Sequence, residues 1–397
     1  MNGGIIMQFN NQNIKDKLFL FTPGPVNVSE NVRRAICKED ICHREEEFDC
    51  LLKSIEDKLL KLFEIKETNN YRAVVITGSG TAANESILSS VVGDKNILIL
   101  SNGEFGERLY GISKIHNQNT STLKFDWGEQ LNLEKIDAYL KNNKVDIISM
   151  VHHETSSGML NPIEKIGELS RIHNTMFIVD CVSSAGAELI DVEKCNISFC
   201  SSSSSKAIGS YSGISFVIGK KQEFEKLKDM PVKTTYLNLY KFYHFINTVS
   251  QTPNTPAVHL FFAFEQALLN ILEEGVTNRH NHIKNLANLL RVGMEKLDLK
   301  FLIDKAHMCS VLTTVHIPSH VDLDIFQKKL RDKKIIIYNG KGPFKNKVFQ
   351  VGNIGAITPK DIDFFLHSLK EVLQTFEKVS LIDTVQKETT ETAKADI

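Results

Sequence analysis

The chain has 397 residues, of which 42% are hydrophobic and 24% charged, so a buried core and roughly two to three domain-sized units are expected. Its net charge of −1 gives no electrostatic basis for binding nucleic acid or an anionic membrane. No apolar run approaches the roughly 18 residues that a membrane span requires, and the polar N-terminus lacks a signal-peptide core. The seven cysteines have no metal-ligand spacing, which predicts reduced thiols in a cytoplasmic protein.

Short apolar segments alternate with helical patterns from residue 18 to about residue 275. The apolar segments are rich in β-branched residues, which is typical of parallel strands buried on both faces. This order predicts an α/β domain with its active groups at the carboxyl ends of the strands. The predicted strands are 73–76, 96–100, 145–151, 176–179, 197–200 and 213–219, and the predicted helices are 48–63, 81–92, 107–116 and 163–173.

The ends of the chain differ in pattern from this large domain of residues 18–275. Residues 1–17 form a polar leader, and residues 276–382 alternate helices and strands as in a smaller α+β domain. The polar composition of residues 383–397 predicts a disordered tail. The sequence therefore predicts a leader, a large domain, a small C-terminal domain and a tail.

A glycine-rich segment follows the first predicted strand. Thr77–Gly78–Ser79–Gly80–Thr81 precedes a helix, and backbone amides at a helix N-terminus bind anions such as phosphate. The segment also fits the pattern G-x-G-x-x-A of nicotinamide dehydrogenases. That pattern needs an acidic residue at the end of the next strand, where this chain has Ser101–Asn102–Gly103. Phosphate binding is favoured, and a dehydrogenase stays as the alternative from another class.

A lysine and an aspartate lie after two of the strands. Lys206 follows a serine run, 201–205, and Asp180 ends the strand 176–179. An amine can form an imine with pyridoxal phosphate, and a carboxylate can keep the cofactor's pyridine nitrogen protonated. A buried carboxylate is unfavourable unless it is paired, and a pyridinium N–H is a suitable partner. We therefore predict a pyridoxal phosphate enzyme.

Two further strands end in residues that could contact the cofactor. Phe105 lies near glycines, where its ring could lie flat against a planar cofactor or simply join the core. Thr155 follows His152 and His153, which as neighbours on a strand point to opposite faces. No further ligands have the spacing of a zinc site, so no metal is predicted. Thr155 is predicted to donate a hydrogen bond to a cofactor oxygen.

Together these segments resemble the class V aminotransferases of pyridoxal phosphate fold type I, and among them the 2-aminoethylphosphonate aminotransferases. The resemblance runs from Thr22–Pro23–Gly24–Pro25 to Gly352–Asn353–Ile354–Gly355, nearly the whole chain. Between these ends the matching segments are Gly78–Ser79–Gly80, Ser101–Asn102–Gly103, Met150–Thr155, Gly158–Pro162, Val179–Asp180, Ser183–Ser184 and Lys206. The resemblance implies an α/β fold whose large domain holds a mostly parallel seven-stranded sheet.

The resemblance also implies a role for each site residue. The catalytic residues it implies are Lys206, which binds the cofactor covalently and moves the substrate's α-proton, and Asp180, which keeps the pyridine nitrogen protonated. The cofactor-binding residues it implies are Phe105 on the ring, Thr155 at the ring hydroxyl, and the amides of Ser79, Gly80 and Thr81 at the phosphate. Thr255 matches a threonine that reaches the phosphate of the neighbouring subunit, which implies a homodimer with shared active sites.

The implied activity is the transfer of an amino group from a small amine, 2-aminoethylphosphonate, to a 2-oxo acid, pyruvate, in two half-reactions. One position departs from the family pattern. Members carry an arginine shortly before Gly–Asn–Ile–Gly to bind the substrate's carboxylate or phosphonate, and this chain has Gln350. Glutamine lacks the charge and the two-pronged geometry of arginine. Arg44 and Lys341 are the candidate replacement cations, unless the amino donor differs.

Two alternatives share the implied fold. A serine– or alanine–glyoxylate aminotransferase, or a related small-amine enzyme, is the nearest one because Gln350 removes the expected arginine. Cysteine desulfurases need a catalytic cysteine on a mobile loop late in the chain. Cys309 is the only late cysteine, and it lies in an apolar, strand-like segment.

Overall fold

The computed structural model of the protein describes residues 17–91 and 93–395, with side chains described through Glu377. Residues 1–16, most of the predicted leader, lie outside the described residues.

The helices are α1 Glu30–Ala35, α2 Glu46–Leu62, α3 Gly80–Ser90, α4 Glu104–His116, α5 Leu133–Asn142, α6 Ile163–Ile172, α7 Lys221–Lys226, α8 Leu239–Val249, α9 Val258–Glu274, α10 Val276–Glu295, α11 Leu323–Asp332 and α12 Pro359–Ala395. The strands of the large domain are β2 Tyr71–Thr77, β3 Ile97–Ser101, β4 Thr120–Lys124, β5 Ile147–Val151, β6 His153–Glu154, β7 Met159–Leu160, β8 Met176–Asp180, β9 Phe199–Ser203 and β10 Ile214–Lys220. The remaining strands are β1 Phe19–Leu20, β11 Leu312–His316, β12 Ile335–Ile336, β13 Tyr338–Asn339 and β14 Val348–Gly352.

The large domain is organised by a seven-stranded sheet in the order β2-β10-β9-β8-β5-β3-β4. Strand β10 runs antiparallel to both of its neighbours, and the other pairs are parallel. Strands β3, β5 and β9 are buried along their whole length, as their apolar or small residues require in a sheet covered on both faces. The predicted mostly parallel seven-stranded sheet is confirmed.

The serine run continues a central strand further than the sequence suggests. Strand β9 includes Ser201, Ser202 and Ser203, which pair with β10 on one side, while Ser201 also pairs with Asp180 on the other. Two of the three hydroxyls have acceptors: that of Ser202 donates to the Cys181 carbonyl at 3.2 Å, and that of Ser201 donates to the side-chain carbonyl of Asn84. Small side chains with local acceptors therefore allow a polar run to be buried at the sheet centre.

The sequence does not predict strand β4 or helix α5. Strand β4 is at the sheet edge and has polar residues at most of its positions, so its apolar signal is weak. Helix α5 buries only Ile136 and Leu140. These two elements complete the βαβ pattern between β3 and β5 and leave the predicted topology unchanged.

A second core belongs to the C-terminal part of the chain. Strands β11, β14 and β13 form a three-stranded sheet, and helices α10, α11 and α12 supply buried residues to the same cluster. Helix α9 ends at Glu274 and α10 begins at Val276, with Gly275 between them at a φ of +86°. The junction between these two helices thus lies at residue 275, where the sequence predicts the boundary between the large and small domains.

The N-terminal strand packs with the C-terminal core rather than with the large sheet. Strand β1 pairs in parallel with β12, and Phe19 and Phe21 lie in the second cluster. The structure therefore differs from the predicted large domain of 18–275 at its first few residues. A second difference concerns the C-terminal residues 383–397, for which the sequence predicts a disordered tail. The backbone of α12 is helical across residues 383–395, where no proline or glycine interrupts it.

The segment after β1 joins the two cores above the strand ends. A Cβ added at Gly352 would lie 2.3 Å from the Thr22 carbonyl oxygen, so β14 approaches this segment backbone to backbone. A Cβ added at Gly24 would lie 2.4 Å from Cδ of Lys206. Only glycine allows both close approaches, and the Thr22–Pro25 segment thereby covers the lysine side chain.

Two helical glycines provide a matched test of this packing. We expect Gly167→Ala to lower the free energy of unfolding by about 1–3 kcal/mol, because its Cβ would lie 2.0 Å from the Cys195 carbonyl oxygen. Gly111→Ala, in helix α4 with no atom within 4 Å of the added Cβ, should raise it by about 0.5–1 kcal/mol. Urea denaturation of both variants measures the difference, and equal effects would contradict the packing of α6 against Cys195.

Candidate active site

The residues singled out from the sequence lie at the carboxyl ends of the parallel strands. Strand β2 leads to the glycine segment, β5 to His152, β8 ends at Asp180, and β9 leads to Lys206. Because parallel strands end at the same edge of a sheet, these side chains share one edge. The topology therefore brings together groups that are more than a hundred residues apart in the chain.

Lys206 projects its amine from the turn after β9. The side chain is half-buried, and among the described residues no hydrogen-bond or ion-pair partner contacts its Nζ. Burial lowers the pKa of the amine to about 8, the positive charges of Lys341 and Arg108 act in the same direction, and Asp180 opposes them. The amine is therefore partly neutral near pH 8, which makes it a nucleophile and a base.

Asp180 is a buried carboxylate at the end of β8. Its Oδ2 accepts a hydrogen bond from the Asn84 amide at 2.6 Å, and its Oδ1 accepts one from the Val182 backbone N–H at 2.8 Å. Burial raises the pKa of this carboxyl, and the two hydrogen bonds oppose the rise. Ser201 donates to Asn84, so the acid is fixed by a short chain of polar groups. A carboxylate held this way can accept one more proton donor from the site.

Asn84 is a site residue that the sequence does not identify. It lies in the second turn of α3, and its buried amide links that helix to Asp180. Its spacing of four residues from Gly80 places it on the same helix face as the start of the glycine segment. That spacing is the only feature of the sequence that could have pointed to Asn84 as a site residue, because an asparagine in a helix is not distinctive by itself.

The glycine segment forms the N-terminus of α3. Ser79 is the residue before the helix, and the N–H groups of Gly80 and Thr81 belong to the first turn, where no helical carbonyl can accept them. A Cβ at Gly80 would lie 2.6 Å from a Val182 methyl, so glycine permits the helix to approach the Asp180 loop. Open amides and the helix dipole make this terminus suitable for a phosphate.

The second helix at this edge, α4, has its N-terminus occupied by the protein itself. The carboxylate of Glu154 accepts hydrogen bonds from the backbone N–H groups of Phe105, Gly106 and Ser156, each at 3.1 Å. A Cβ at Gly103 would lie 2.5 Å from the Glu154 carboxyl carbon. Burial raises the pKa of this acid, and the hydrogen bonds oppose that effect. Glu154, which the sequence does not identify as important, thus orients the start of α4 and with it Phe105.

Thr155 and Gln350 lie in contact across the two domains. Gln350 is buried, and its Nε2 donates to the Thr155 carbonyl at 2.7 Å and to the Thr314 hydroxyl at 3.1 Å. No hydrogen bond to the Thr155 hydroxyl occurs within the described part of the chain. The amide of Gln350 therefore holds the Thr155 turn in place, and the threonine hydroxyl is left for another partner.

The paired histidines are buried and neutral. His152 Nδ1 lies 3.0 Å from the Ser184 hydroxyl, and His153 Nδ1 donates to the Ser183 carbonyl at 3.1 Å. Burial lowers the pKa of His152 to about 3 and that of His153 to about 4. Among the described residues, no group of three or more His, Cys, Asp or Glu side chains could hold a metal ion.

The two candidate cations lie in different places. Lys341, from the loop between β13 and β14, pairs with Glu104 at 3.2 Å, and its Nζ is 5.2 Å from the centroid of the Phe105 ring. Arg44 is exposed and donates to the Thr252 carbonyl at 2.8 Å. Thr255 is exposed in the same loop as Thr252. The structure therefore places Lys341 beside the Phe105 ring, whereas Arg44 supports the loop that carries Thr255.

Cys309 has the properties of a structural thiol. It is fully buried, its Sγ contacts the Leu312 carbonyl at 3.4 Å, and burial raises its pKa to about 12. A nucleophilic cysteine needs a thiolate and access to substrate. This side chain has neither, so the desulfurase alternative lacks its catalytic group.

The fold and the site together define a fold type I aminotransferase framework, with an amine, an acid and an anion-binding helix end at one sheet edge. The chain belongs to the class V aminotransferases, whose family model matches residues 28–346. The protein is therefore an aminotransferase, and the dehydrogenase alternative is wrong. In the described part of the chain, no helix is both long enough and apolar enough to pass through a bilayer.

Two curated relatives and two solved structures are similar over most of their lengths. The 2-aminoethylphosphonate–pyruvate transaminase of Phocaeicola vulgatus is 33% identical over 89% of this chain and 98% of its own, and that of Vibrio vulnificus is 31% identical over 91% and 99%. The ureidoglycine–glyoxylate aminotransferase of Bacillus subtilis has a TM-score of 0.86 at 25% identity over 92% and 95% of the two chains. The alanine–glyoxylate aminotransferase of a Nostoc species has a TM-score of 0.85 at 27% identity over 94% and 99%.

The lowered pKa of Lys206 has a direct consequence for its reactivity. In the protein without cofactor, we expect acetic anhydride to modify Lys206 with a midpoint near pH 8 rather than at the ordinary 10.5, because burial disfavours the ammonium form. Lys341→Met should raise that midpoint, since it removes a like charge. Peptide mass spectrometry across a pH series measures both midpoints. An unshifted midpoint of 10.5 would contradict the burial of the amine.

Proposed function

We propose that the protein is a pyridoxal phosphate-dependent aminotransferase whose cofactor is held at the sheet edge described above. The fit rests on three groups that can still take a partner: the Lys206 amine, which has no hydrogen-bond or ion-pair partner among the described residues, the Asp180 carboxylate, which is held by two hydrogen bonds, and the open first turn of α3. Lys206 would bind the cofactor, Asp180 its ring nitrogen, and the amides of Ser79, Gly80 and Thr81 its phosphate. Phe105 would face the ring and Thr155 its hydroxyl. The Lys206–Asp180 pair is the observation that carries the proposal.

The side chains of the site divide the catalytic work. When bound, pyridoxal phosphate supplies an electron sink for the carbanion that forms when a proton leaves the donor's carbon. The Lys206 amine, neutral at a mildly alkaline pH, removes and returns that proton at Nζ. Asp180 stabilises positive charge at the end of β8, and Asn84 keeps its carboxylate in position. The Thr22–Pro25 segment excludes water from the lysine stem, since Gly24 lies directly against it.

We propose 2-aminoethylphosphonate as the amino donor and pyruvate as the acceptor. The support is the identity of about 30% over most of the chain to several 2-aminoethylphosphonate–pyruvate transaminases. A second candidate, transfer from alanine or serine to glyoxylate, is supported by the alanine–glyoxylate structural neighbour and by Gln350, which carries no charge for a phosphonate.

We also propose that two copies of the chain form a cytoplasmic homodimer. The exposed position of Thr255 supports this proposal, because its hydroxyl is accessible to the cofactor phosphate of a neighbouring subunit. Arg44, through its hydrogen bonds to Gln251 and to the Thr252 carbonyl, positions the loop in which Thr255 lies.

Replacement of the lysine tests the function. Lys206→Met should fold, because the Nζ that it removes has no partner among the described residues, and transamination should fall by about 100- to 10,000-fold because the proton-moving amine is lost. The native holoprotein should absorb in the visible range and lose that absorbance with borohydride, leaving a cofactor adduct on Lys206 in the peptide mass spectrum.

A donor and acceptor screen accompanies this variant. Turnover of 2-aminoethylphosphonate with pyruvate should exceed that of alanine or serine with glyoxylate, and the reverse order would favour the second candidate. An adduct on a different lysine, or undiminished turnover by Lys206→Met, would overturn the proposed function.

A further inference from the structure

Three charged side chains form a cluster against the Phe105 ring, which we call the mouth cluster: Glu104, Arg108 and Lys341. Glu104 accepts from Arg108 at 2.7 Å and pairs with Lys341 at 3.2 Å. The guanidinium carbon of Arg108 lies 4.7 Å, and the Lys341 Nζ 5.2 Å, from the Phe105 ring centroid. One carboxylate therefore bridges two cations beside the ring proposed to face the cofactor.

The cluster joins the two domains of the chain. Glu104 and Arg108 lie on the first two turns of α4, one turn apart, whereas Lys341 comes from the loop between β13 and β14. That loop packs on the large domain through Gly342, where a Cβ would lie 2.6 Å from the Trp127 indole, and through Phe344, whose ring centroid is 6.2 Å from that of Trp127. This contact places Lys341 at the mouth.

The charges of the cluster do not cancel. Two cations share one carboxylate, and all three side chains keep solvent access, at 39% for Arg108, 42% for Lys341 and 26% for Glu104. Both cations also lower the pKa of Lys206, so they lie within its electrostatic environment. Gln350 donates its amide to the Thr155 carbonyl and supplies no charge. The mouth cluster therefore carries one net positive charge close to Lys206, where an anionic substrate requires it.

We propose that Arg108 and Lys341 bind the anionic group of the amino donor, and that Glu104 occupies their donors until the anion displaces it. This inference rests on the proposed function and specifies its substrate class as a phosphonate-type anion. A dianionic phosphonate offers three acceptor oxygens and can engage a guanidinium fork and an ammonium together, whereas a carboxylate has one charge and two oxygens. Glu104 acts as an internal competitor, so that a dianionic phosphonate displaces it from the two cations more readily than a singly charged carboxylate does.

As an internal competitor, Glu104 has a role that an ordinary glutamate on a helix surface does not have. A Glu–Arg pair one turn apart on a helix contributes only a few tenths of a kcal/mol to stability. If that were its only role, Glu104→Gln would not change anion binding, or would change it only through folding. As an internal competitor, its neutralisation strengthens anion binding because both cations lose their bound carboxylate.

The test uses the holoenzyme, in which the cofactor already fills the phosphate-binding end of α3, in phosphate-free buffer. Methylphosphonate is the unreactive probe, and acetate is the singly charged comparison, with dissociation constants measured by calorimetry. Arg108→Gln and Lys341→Met should each weaken methylphosphonate binding by about tenfold, as expected for a charge-assisted hydrogen bond that is partly exposed to water. Glu104→Gln should tighten it several-fold. Lys345→Ala, an exposed lysine of the same loop, should leave it unchanged.

The outcomes separate this inference from the proposed function. Unchanged methylphosphonate binding in Lys341→Met or in Glu104→Gln would overturn it, as would weakening in Arg44→Ala with none in Arg108→Gln, because Arg44 would then be the anion-binding residue. Methylphosphonate binding that follows the expected order would support the inference even if 2-aminoethylphosphonate were not turned over. In that case the proposed donor alone would be wrong.

Discussion

The site depends on one constraint: a half-buried amine and a buried carboxylate must lie within each other's electrostatic environment without neutralising each other. The Asn84 amide and the Val182 backbone N–H oppose the effect of burial on the pKa of Asp180, while the Lys206 amine has no hydrogen-bond or ion-pair partner among the described residues. The register of β8 and β9 places both groups at the same sheet edge, because Asp180 pairs with Ser201. Asp180 accepts its two hydrogen bonds from Asn84 and Val182 and forms no ion pair with Lys206 among the described residues, so the amine stays available for chemistry.

The two helix N-termini at this edge illustrate how the protein directs an anion to one place. Helix α4 has its first amides occupied by the buried carboxylate of Glu154, whereas those of α3 are left open. Both termini carry a favourable dipole. Of these two termini, only that of α3 therefore has open amides for the proposed cofactor phosphate, and α4 supports Phe105.

The C-terminal part of the chain contributes more than a second core. Gln350 supports the Thr155 turn, the loop carrying Lys341 docks on Trp127, and Gly352 lies against the Thr22 backbone. Each contact reaches the edge where the strands of the large sheet end. The orientation of the small domain is thus coupled to the shape of the site, which is the arrangement that a closing enzyme requires.

Much of the fold and part of the site follow from local pattern. The β-branched, non-alternating segments were sufficient to predict a buried parallel sheet, and strand ends followed by Lys206, Asp180 and the glycine segment were sufficient to predict the chemistry. The edge strand β4 was missed because a half-exposed strand has little apolar signal. The sequence also gives no reason to single out Arg108, which the structure places over the Phe105 ring, because an arginine four residues after a glutamate is typical of any solvated helix.

The sequence by itself determined the order of the buried strands, the identity of the chemical groups and the departure at Gln350. Only the tertiary structure decided which of two candidate cations lies beside the ring, that Gln350 serves the Thr155 turn, and that Glu154 and Asn84 support the site. The physical reason is that hydrophobic periodicity is a property of neighbouring residues, whereas a hydrogen bond between residues 195 positions apart depends on how distant strands and loops meet.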